Sequence, residues 1–245
     1  MIKKDDERGS VLQSQLFTTL EGIKHYCSTR DMKDAELGVW MPHQVHGCTI
    51  ALLDDAENPC ESVLCVSAAS APVDADAVIT RCRGQWIGVR TADCVPVLLY
   101  DPKAGVVAAV HAGWRGTVRH IVRLTAECMV GQLGCQAEEL YAMVGPSISP
   151  EAFEVGEEVA QQFVEAGRAD CVVRHAWDAR GRQPYVKPHV DLWQSNVMDL
   201  LELGVDLTHI DCTPWCTVQN SELLYSARRE GIGTGRIVSA IRLKP

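Results

Sequence analysis

Two neighbouring stretches decide the fold: Thr91-Ala-Asp-Cys94-Val-Pro-Val-Leu-Leu-Tyr-Asp101 and Val107-Ala-Ala-Val-His111-Ala-Gly-Trp-Arg-Gly-Thr117. Cys94 opens the first apolar run, and His111 closes the second. If the two runs are paired strands, the thiol and the imidazole lie side by side. That pairing predicts either a metal site or a nucleophile with its base. His46, in the polar segment Pro42-His-Gln-Val-His-Gly47, is the natural third member.

The composition is that of a globular protein. The chain has 245 residues, of which 47% are hydrophobic and 22% charged, and no tract of it is typical of a disordered tail or a linker. We therefore expect a single domain. The net charge of −9 argues against nucleic acid as a partner, because contacts to phosphates need clustered Lys and Arg.

The sequence also predicts the location of the protein. Its first residues lack an apolar stretch that could act as a secretory signal, and no later run is long enough to span a bilayer. We expect a cytoplasmic protein that does not bind membranes. The eleven cysteines are odd in number and scattered through apolar segments, which indicates reduced thiols. The absence of a Cys-x-x-Cys pair argues against a structural zinc knuckle.

Hydrophobic periodicity predicts a mixture of strands and helices. Short apolar runs predict strands over 77–80, 86–89, 95–100, 106–110, 140–144 and 237–243. A helix should start soon after His111, near Thr117, with Ile121, Leu124, Thr125 and Cys128 on one face, and others near 156–166 and 190–203. Residues 54–76 have loop composition. We predict an α+β fold, a single-domain layered sandwich of mixed β-sheet with flanking helices.

The metal hypothesis rests on the chemistry of three side chains. Catalytic zinc commonly takes three N and S ligands and leaves one position open, and His46, Cys94 and His111 supply such a set. A water in the open position becomes a nucleophile near neutral pH. Base deaminases pair a comparable zinc with a carboxylate that shuttles protons. Asp93 and Glu154 are the candidates for that carboxylate.

Three alternatives stay open at this point. Cys94 and His111 could be a buried thiol and a core histidine, or the nucleophile and base of a cysteine hydrolase, which needs no second imidazole. A His2Cys set also holds copper. Only eight histidines are present and none forms a His-x-His pair, so the sequence supports at most one metal per chain. We expect His43 to be an exposed side chain.

Two segments are candidates for anion and base binding. Arg115 lies between two glycines at the start of the predicted helix, where backbone N–H groups and a guanidinium favour an anion, and Trp114 beside it could stack on a purine. Near the C-terminus, Ser226, Arg228 and Arg229 precede a glycine-rich stretch ending at Arg236. Glycines let the backbone approach an anion closely.

These motifs resemble a known bacterial family, whose members are variously called laccase-domain or polyphenol oxidase proteins, purine nucleoside phosphorylases and peptidoglycan editing factors. The matching motifs occur in the family's order over residues 26–243. They are Gln44-Val-His46-Gly, Thr91-Ala-Asp-Cys94-Val-Pro-Val, His111-Ala-Gly-Trp-Arg-Gly116, Gly145-Pro-Ser-Ile148, Phe153-Glu-Val-Gly156, and Ser226-Ala-Arg-Arg229 followed by Thr234-Gly-Arg236.

The resemblance implies zinc, with copper as an alternative, on His46, Cys94 and His111. It implies phosphorolysis of adenosine, inosine and methylthioadenosine, with adenosine deamination alongside, so that purine nucleosides and phosphate are the partners. The catalytic candidates are then Cys94, His111 and Asp93. The substrate-binding candidates are Trp114, Arg115, Ser226, Arg228 and Arg229. Two other activities remain alternatives: a copper-dependent polyphenol oxidoreductase (laccase), and a Cys/His hydrolase in peptidoglycan precursor editing.

The resemblance also bears on architecture. The family's fold is similar to that of a toxin deamidase with a Cys/His dyad, which keeps the hydrolase alternative open. We predict an N-terminal extension over 1–25, one catalytic laccase-like domain over 26–245, and a monomer or homodimer. The sequence departs from the family pattern after His25-Tyr-Cys-Ser-Thr-Arg30, where a Gly-rich segment is missing. In the family that segment could form one wall of the pocket. Its absence from this chain therefore bears on the substrate preference.

Overall fold

The computed structural model describes residues 1–6, 9–54, 64–67, 71–174, 187–212 and 215–245. Most of the loop predicted over 54–76 lies outside these residues. The strands, in chain order, are β1 (Ile2–Asp6), β2 (Gly9–Gln13), β3 (Ile23–Ser28), β4 (Val39–Trp40), β5 (Ile50–Leu53), β6 (Leu64–Val66), β7 (Ala77–Thr80), β8 (Trp86–Thr91), β9 (Val95–Asp101), β10 (Val106–Ala112), β11 (Tyr141–Val144), β12 (Val172–Val173), β13 (His189–Val190), β14 (Ile210–Cys212) and β15 (Ile237–Leu243).

Helices are fewer and mostly short. The α-helices are α1 (Gln15–Thr19), α2 (Trp114–Thr117), α3 (Ile121–Leu133), α4 (Glu157–Glu165), α5 (Leu192–Leu203) and α6 (Ala227–Glu230), with 3-10 turns at Ala137–Glu139, Ala169–Cys171 and Leu207–His209. No helix in the described part of the chain has both the length and the apolar character needed to cross a membrane.

The described strands form two large mixed sheets and one small one. The first large sheet has the order β1-β2-β3-β15-β8-β4, the second has the order β14-β11-β9-β10-β7-β5-β6, and β12 pairs with β13. Most neighbours are antiparallel, while β4–β8, β5–β6, β5–β7 and β11–β14 are parallel pairs. The mixed α+β architecture predicted from the sequence is confirmed.

Among the described residues, the layers pack around two large apolar cores, and a third, smaller cluster includes Tyr26 and Val238. Ile87 of the first sheet packs with Leu98 of the second, so one core lies between the sheets. Leu99, on the opposite face of the second sheet, packs in the other core with Ile121 of α3 and Leu200 of α5. Because both faces of β9 are covered, all 7 of its residues are buried. The strands that carry the candidate site are therefore rigidly held.

Most of the predicted elements are confirmed, and three details differ. Strands β8, β9 and β10 extend slightly beyond their predicted ends. The long helix does not begin near Thr117, because His120 takes a left-handed backbone conformation (φ 60°) that separates α2 from α3. Leu124 is 39% exposed, because the buried face of α3 runs through Ile121, Thr125 and Met129.

The first 25 residues take part in the first sheet. β2 pairs with β3 at Val11↔Ser28 and Leu12↔Cys27, and β1 pairs with β2 at the edge. Ser14 caps α1 by accepting a hydrogen bond from the Phe17 N–H. The segment predicted as an N-terminal extension thus supplies two strands, a short helix and the start of β3.

Candidate metal site and substrate cavity

The antiparallel pairing of β9 with β10 brings Cys94 and His111 together. His111 is the register partner of Pro96, and Cys94 directly precedes β9. His46 joins them from the loop between β4 and β5. Candidate ligand atoms of the three residues all lie within 4.8 Å of one another. In the part of the chain that the structure describes, this is the one group of His, Cys, Asp and Glu side chains found with metal-binding geometry.

A buried carboxylate, Asp76, contacts both the His111 ring and the loop that carries His46. Its Oδ1 lies 2.7 Å from Nδ1 of His111 and accepts the backbone N–H of His46 at 3.0 Å. Its Oδ2 accepts the N–H groups of Gly47 at 2.6 Å and Val45 at 3.3 Å. A carboxylate on the second ring nitrogen fixes the orientation of a metal-binding histidine. Asp76 therefore holds both the His111 ring and the His46 loop.

The electrostatics of the cluster favour a thiolate. Burial alone would raise the pKa of Cys94, but hydrogen bonds from His111 and His46 outweigh it and lower that pKa to about 6. Burial alone would lower the pKa of His111, but Asp76 and Cys94 raise it to about 9. At neutral pH the metal-free site thus holds a thiolate beside an imidazolium.

Gly113 leaves room for this cluster. A Cβ atom at Gly113 would lie 3.0 Å from Nδ1 of His46 and 3.1 Å from Sγ of Cys94, closer than ordinary van der Waals contact. The donor set, one thiolate and two imidazoles, is the type that zinc takes in catalytic sites with a fourth position open. The residues present therefore fit a single N/S-bound metal ion.

A cavity of about 570 Å³ opens over the cluster. Its volume is within the range of small-molecule sites. Apolar side chains and arginines line it beside the three candidate ligands; those used below are Ile148, Phe153, Arg228, Ile232 and Arg236. The Arg228 guanidinium lies 5.5 Å from the centre of the Phe153 ring. The cavity thus combines apolar walls with positive charge.

Of the five predicted substrate-binding residues, only Arg228 lines this cavity. Trp114 and Arg115 stack on each other, with the guanidinium 4.4 Å from the ring, away from the lining. Ser226 is fully buried and caps α6. Arg229 donates to the carbonyl oxygens of residues 217, 218 and 224, so its guanidinium holds the loop in place.

The two predicted carboxylates differ in position. Asp93 borders the cavity, but its Oδ1 accepts a hydrogen bond from the Thr217 hydroxyl at 2.6 Å and its Oδ2 accepts the Arg228 N–H at 2.6 Å. Glu154 lies outside the lining and pairs with Lys187 at 3.1 Å. His43 lies at the rim and is exposed, as predicted, with its ring 2.7 Å from Asp74.

Sequence reasoning missed Asp76, Phe153 and Arg236 as site residues. Phe153 and Arg236 belong to motifs that the sequence pointed to, but no spacing rule indicated that they face one cavity. Asp76 directly precedes β7, the strand that pairs with the His111 strand. The available signal was a polar residue directly before a buried strand.

The sequence model of the family described as multi-copper polyphenol oxidoreductase laccase matches residues 21–244. A protein of Bacteroides thetaiotaomicron named purine nucleoside phosphorylase is 44% identical over 168 residues, covering 69% of this chain and 60% of the relative. The chain thus spans less than two thirds of that relative's length. A protein of an unknown prokaryotic organism, named adenosine deaminase RL5, is 39% identical over 207 residues, covering 83% and 74%.

Solved structures share the fold. The crystal structure of YlmD from Geobacillus stearothermophilus matches with a TM-score of 0.81 at 21% identity, covering 100% of this chain and 99% of that one. The Neisseria meningitidis protein NMB0706 matches with a TM-score of 0.75 at 25% identity, covering 96% and 99%.

Proposed function

Since the chain belongs to the family described as multi-copper polyphenol oxidoreductase laccase, we propose that it is a zinc-dependent purine nucleoside phosphorylase. Membership confirms the resemblance found in the motifs, and two similar proteins are named for purine nucleoside phosphorolysis and adenosine deamination. The observation that carries the proposal is the cluster of His46, Cys94 and His111, with ligand atoms within 4.8 Å, at the base of an arginine-lined cavity.

The three candidate ligands would hold the metal, and Asp76 would orient one of them. A zinc ion bound there would supply a Lewis acid and an activated water. Asp76 orients His111, and Gly113 leaves the space between the ligands open. His46 is exposed and lines the cavity, so the cluster faces the space that a substrate would enter.

Phosphorolysis requires a phosphate held against the sugar carbon C1′. The reaction forms a C1′–O bond to phosphate and breaks the bond between C1′ and the purine nitrogen, which leaves with the electron pair. Arg228 and Arg236 are the candidates for binding phosphate, because both line the cavity and neither guanidinium has a carboxylate partner among the described residues. Arg228 is the stronger candidate, since the Arg236 guanidinium already donates to the carbonyl oxygens of residues 232, 234 and 235. The bidentate ion pair with Glu36 compensates the charge of Arg90, which makes this side chain a weaker candidate.

The apolar part of the cavity suits a purine. Phe153, Ile148 and Ile232 provide apolar contact area, and aromatic rings pack well against planar bases. Adenosine, inosine and methylthioadenosine each carry a purine base, and in all three the reacting centre is the sugar carbon C1′. We propose all three as substrates, with deamination of adenosine as a side activity.

The test measures zinc content and turnover in the same variants. His46→Ala should lose zinc and adenosine phosphorolysis together, whereas His43→Ala, at the rim, should retain both. Ribose 1-phosphate formation is measured against phosphate concentration, and zinc by elemental analysis. A His46→Ala protein without zinc that turns over adenosine at the wild-type rate would contradict the proposal.

The low pKa of Cys94 favours a second candidate, a hydrolase that uses the thiolate directly. This activity would be peptidoglycan precursor editing, on a fold like that of the toxin deamidases. Alkylation of Cys94 in metal-free protein should then abolish hydrolysis, and added zinc should not stimulate it. A copper-dependent oxidoreductase would instead show phenol oxidation that depends on bound copper.

A further inference from the structure

A second cavity lies on the outer face of the first sheet, away from the metal cluster. In β3 and β15, Ile23 and Ile241 point into the core between the sheets. Side chains alternate along a strand, so Lys24 and Arg242 project from the opposite face. These two residues are direct register partners. The cavity they border measures about 620 Å³ and shares no lining residue with the substrate cavity.

The charges around this outer-face cavity are mainly positive. Lys4, Lys24, Arg242 and Lys244 all line it, and none of them has a carboxylate partner within the described residues. Asp5, the one acidic residue in the lining, lies 3.4 Å from Lys3. Like charges at directly opposed positions of a sheet destabilise it. Although the chain as a whole has a net charge of −9, four of its cationic side chains surround this one cavity.

Arg242 is fixed in a position that leaves one donor unused. Its guanidinium lies 4.7 Å from the centre of the Trp86 ring, which orients the side chain by a cation–π contact. Its Nε atom is buried and has no acceptor among the described residues. A buried donor without an acceptor is costly, and more so when it is charged. The contact with Trp86 thus holds the guanidinium in place, beside Lys24 and Lys244 in the cavity lining.

We propose that the outer-face cavity binds a small anion of the phosphate class with two or more negative charges. The anion would lie between Lys24 and Arg242, accept hydrogen bonds from the terminal N–H groups of the Arg242 guanidinium, and draw Lys244 towards it. Charge-assisted hydrogen bonds from guanidinium and ammonium groups are the usual recognition of such anions. The ligand is a soluble one, because the site is a concavity of small-molecule size.

Pyrophosphate at constant ionic strength is the probe, with binding measured by calorimetry. Lys24→Gln and Arg242→Gln should each weaken binding about tenfold, the loss expected for one charge-assisted hydrogen bond. Lys103→Gln is the matched control, since Lys103 pairs with Glu139 at another surface and should bind like the wild type. If Arg242→Gln fails to fold, Lys244→Gln replaces it.

A second readout separates a binding site from a merely structural cluster. Without anion, Lys24→Gln should raise the midpoint of thermal unfolding, because it removes a like-charge pair. With saturating pyrophosphate, the wild type should gain more stability than the variant. A lower midpoint for anion-free Lys24→Gln would contradict the proposal.

Phosphate can also enter the substrate cavity, so Arg228→Met is measured in parallel. Binding abolished by Arg228→Met but unchanged by Lys24→Gln would overturn the outer-face site, and so would the absence of saturable binding. A further experiment measures binding of the protein to vesicles that contain phosphatidylglycerol. Binding to these vesicles without binding to pyrophosphate would assign the patch to a lipid headgroup and overturn the proposal.

Discussion

Asp76 illustrates how a residue outside the candidate ligand set can organise a candidate metal site. Its side chain is fully buried, and hydrogen bonds from His111 and Gly47 lower its pKa below the ordinary value although burial opposes this. The carboxylate therefore stays ionised while it holds the His111 ring and the His46 loop. Residues with this function tune metal affinity strongly.

We predict that Asp76→Asn lowers zinc affinity by about 10- to 100-fold, the usual cost of losing a partner of a metal-binding histidine. An amide is neutral and cannot replace the carboxylate towards both the imidazole and the loop N–H groups. Competition with a chromophoric chelator measures the affinity. Asp74→Asn, two residues away and exposed beside His43, is the control. Equal zinc affinity in the two variants would show that Asp76 does not support the metal.

Arg228, which lines the cavity, can be compared with Arg115, which does not. We predict that Arg228→Met raises the KM for phosphate by about tenfold or more, as expected for the loss of a charge-assisted hydrogen bond. Arg115→Met should leave that KM unchanged, because Arg115 stacks on Trp114 outside the cavity. Initial rates at varied phosphate and saturating adenosine measure both. A raised KM in Arg115→Met alone would favour the assignment made from the sequence.

At the scale of elements, the β9–β10 pair shows what the sequence reveals and what it does not. Two apolar runs joined by a short turn predict antiparallel strands, and this places Cys94 beside His111. His46 lies far from both in the chain, so its position depends on packing between distant segments. The same holds for Arg115. It lies at the start of α2 in a favourable local sequence, but it is not among the residues that line the cavity.

Gly113 lies in the turn between β10 and α2, and a substitution there tests whether the ligands need the space beside this turn. Its φ of −68° and ψ of 165° are open to alanine, so Gly113→Ala should change stability little. The new Cβ would crowd His46 and Cys94, and we expect weaker zinc binding.

Gly131→Ala is the control for this change, because nothing lies within 4 Å of a Cβ there, within helix α3. It should raise the free energy of unfolding by about 0.5–1 kcal/mol and leave zinc binding unaltered. Chelator competition and urea unfolding measure the two effects. Unchanged zinc affinity in Gly113→Ala would show that the ligands do not need the space.

At the scale of the whole molecule, the first sheet carries a pH-sensitive residue in its interior. His25 of β3 is buried and accepts a hydrogen bond from the Ser14 N–H at 2.9 Å. Burial, assisted by the nearby charge of Lys4, lowers its pKa to about 4. The histidine is therefore neutral in the folded chain at every pH above that value.

This shift predicts how stability depends on pH. The unfolded chain protonates His25 near pH 6.5 and the folded chain only near pH 4. The stabilisation is thus complete above pH 6.5 and is lost as the pH falls to 4, by about 3 kcal/mol at most. Urea unfolding at pH 7 and pH 5 should show a smaller difference in His25→Gln than in the wild type. His43→Gln, at an exposed site, should behave like the wild type.

We propose that zinc on His46, Cys94 and His111 supports phosphorolysis of purine nucleosides. The most direct measurement is phosphate-dependent release of adenine from adenosine in samples stripped of zinc by a chelator to different extents. We predict that the rate is proportional to bound zinc, up to about one ion per chain. Undiminished phosphorolysis in zinc-free protein would contradict the account.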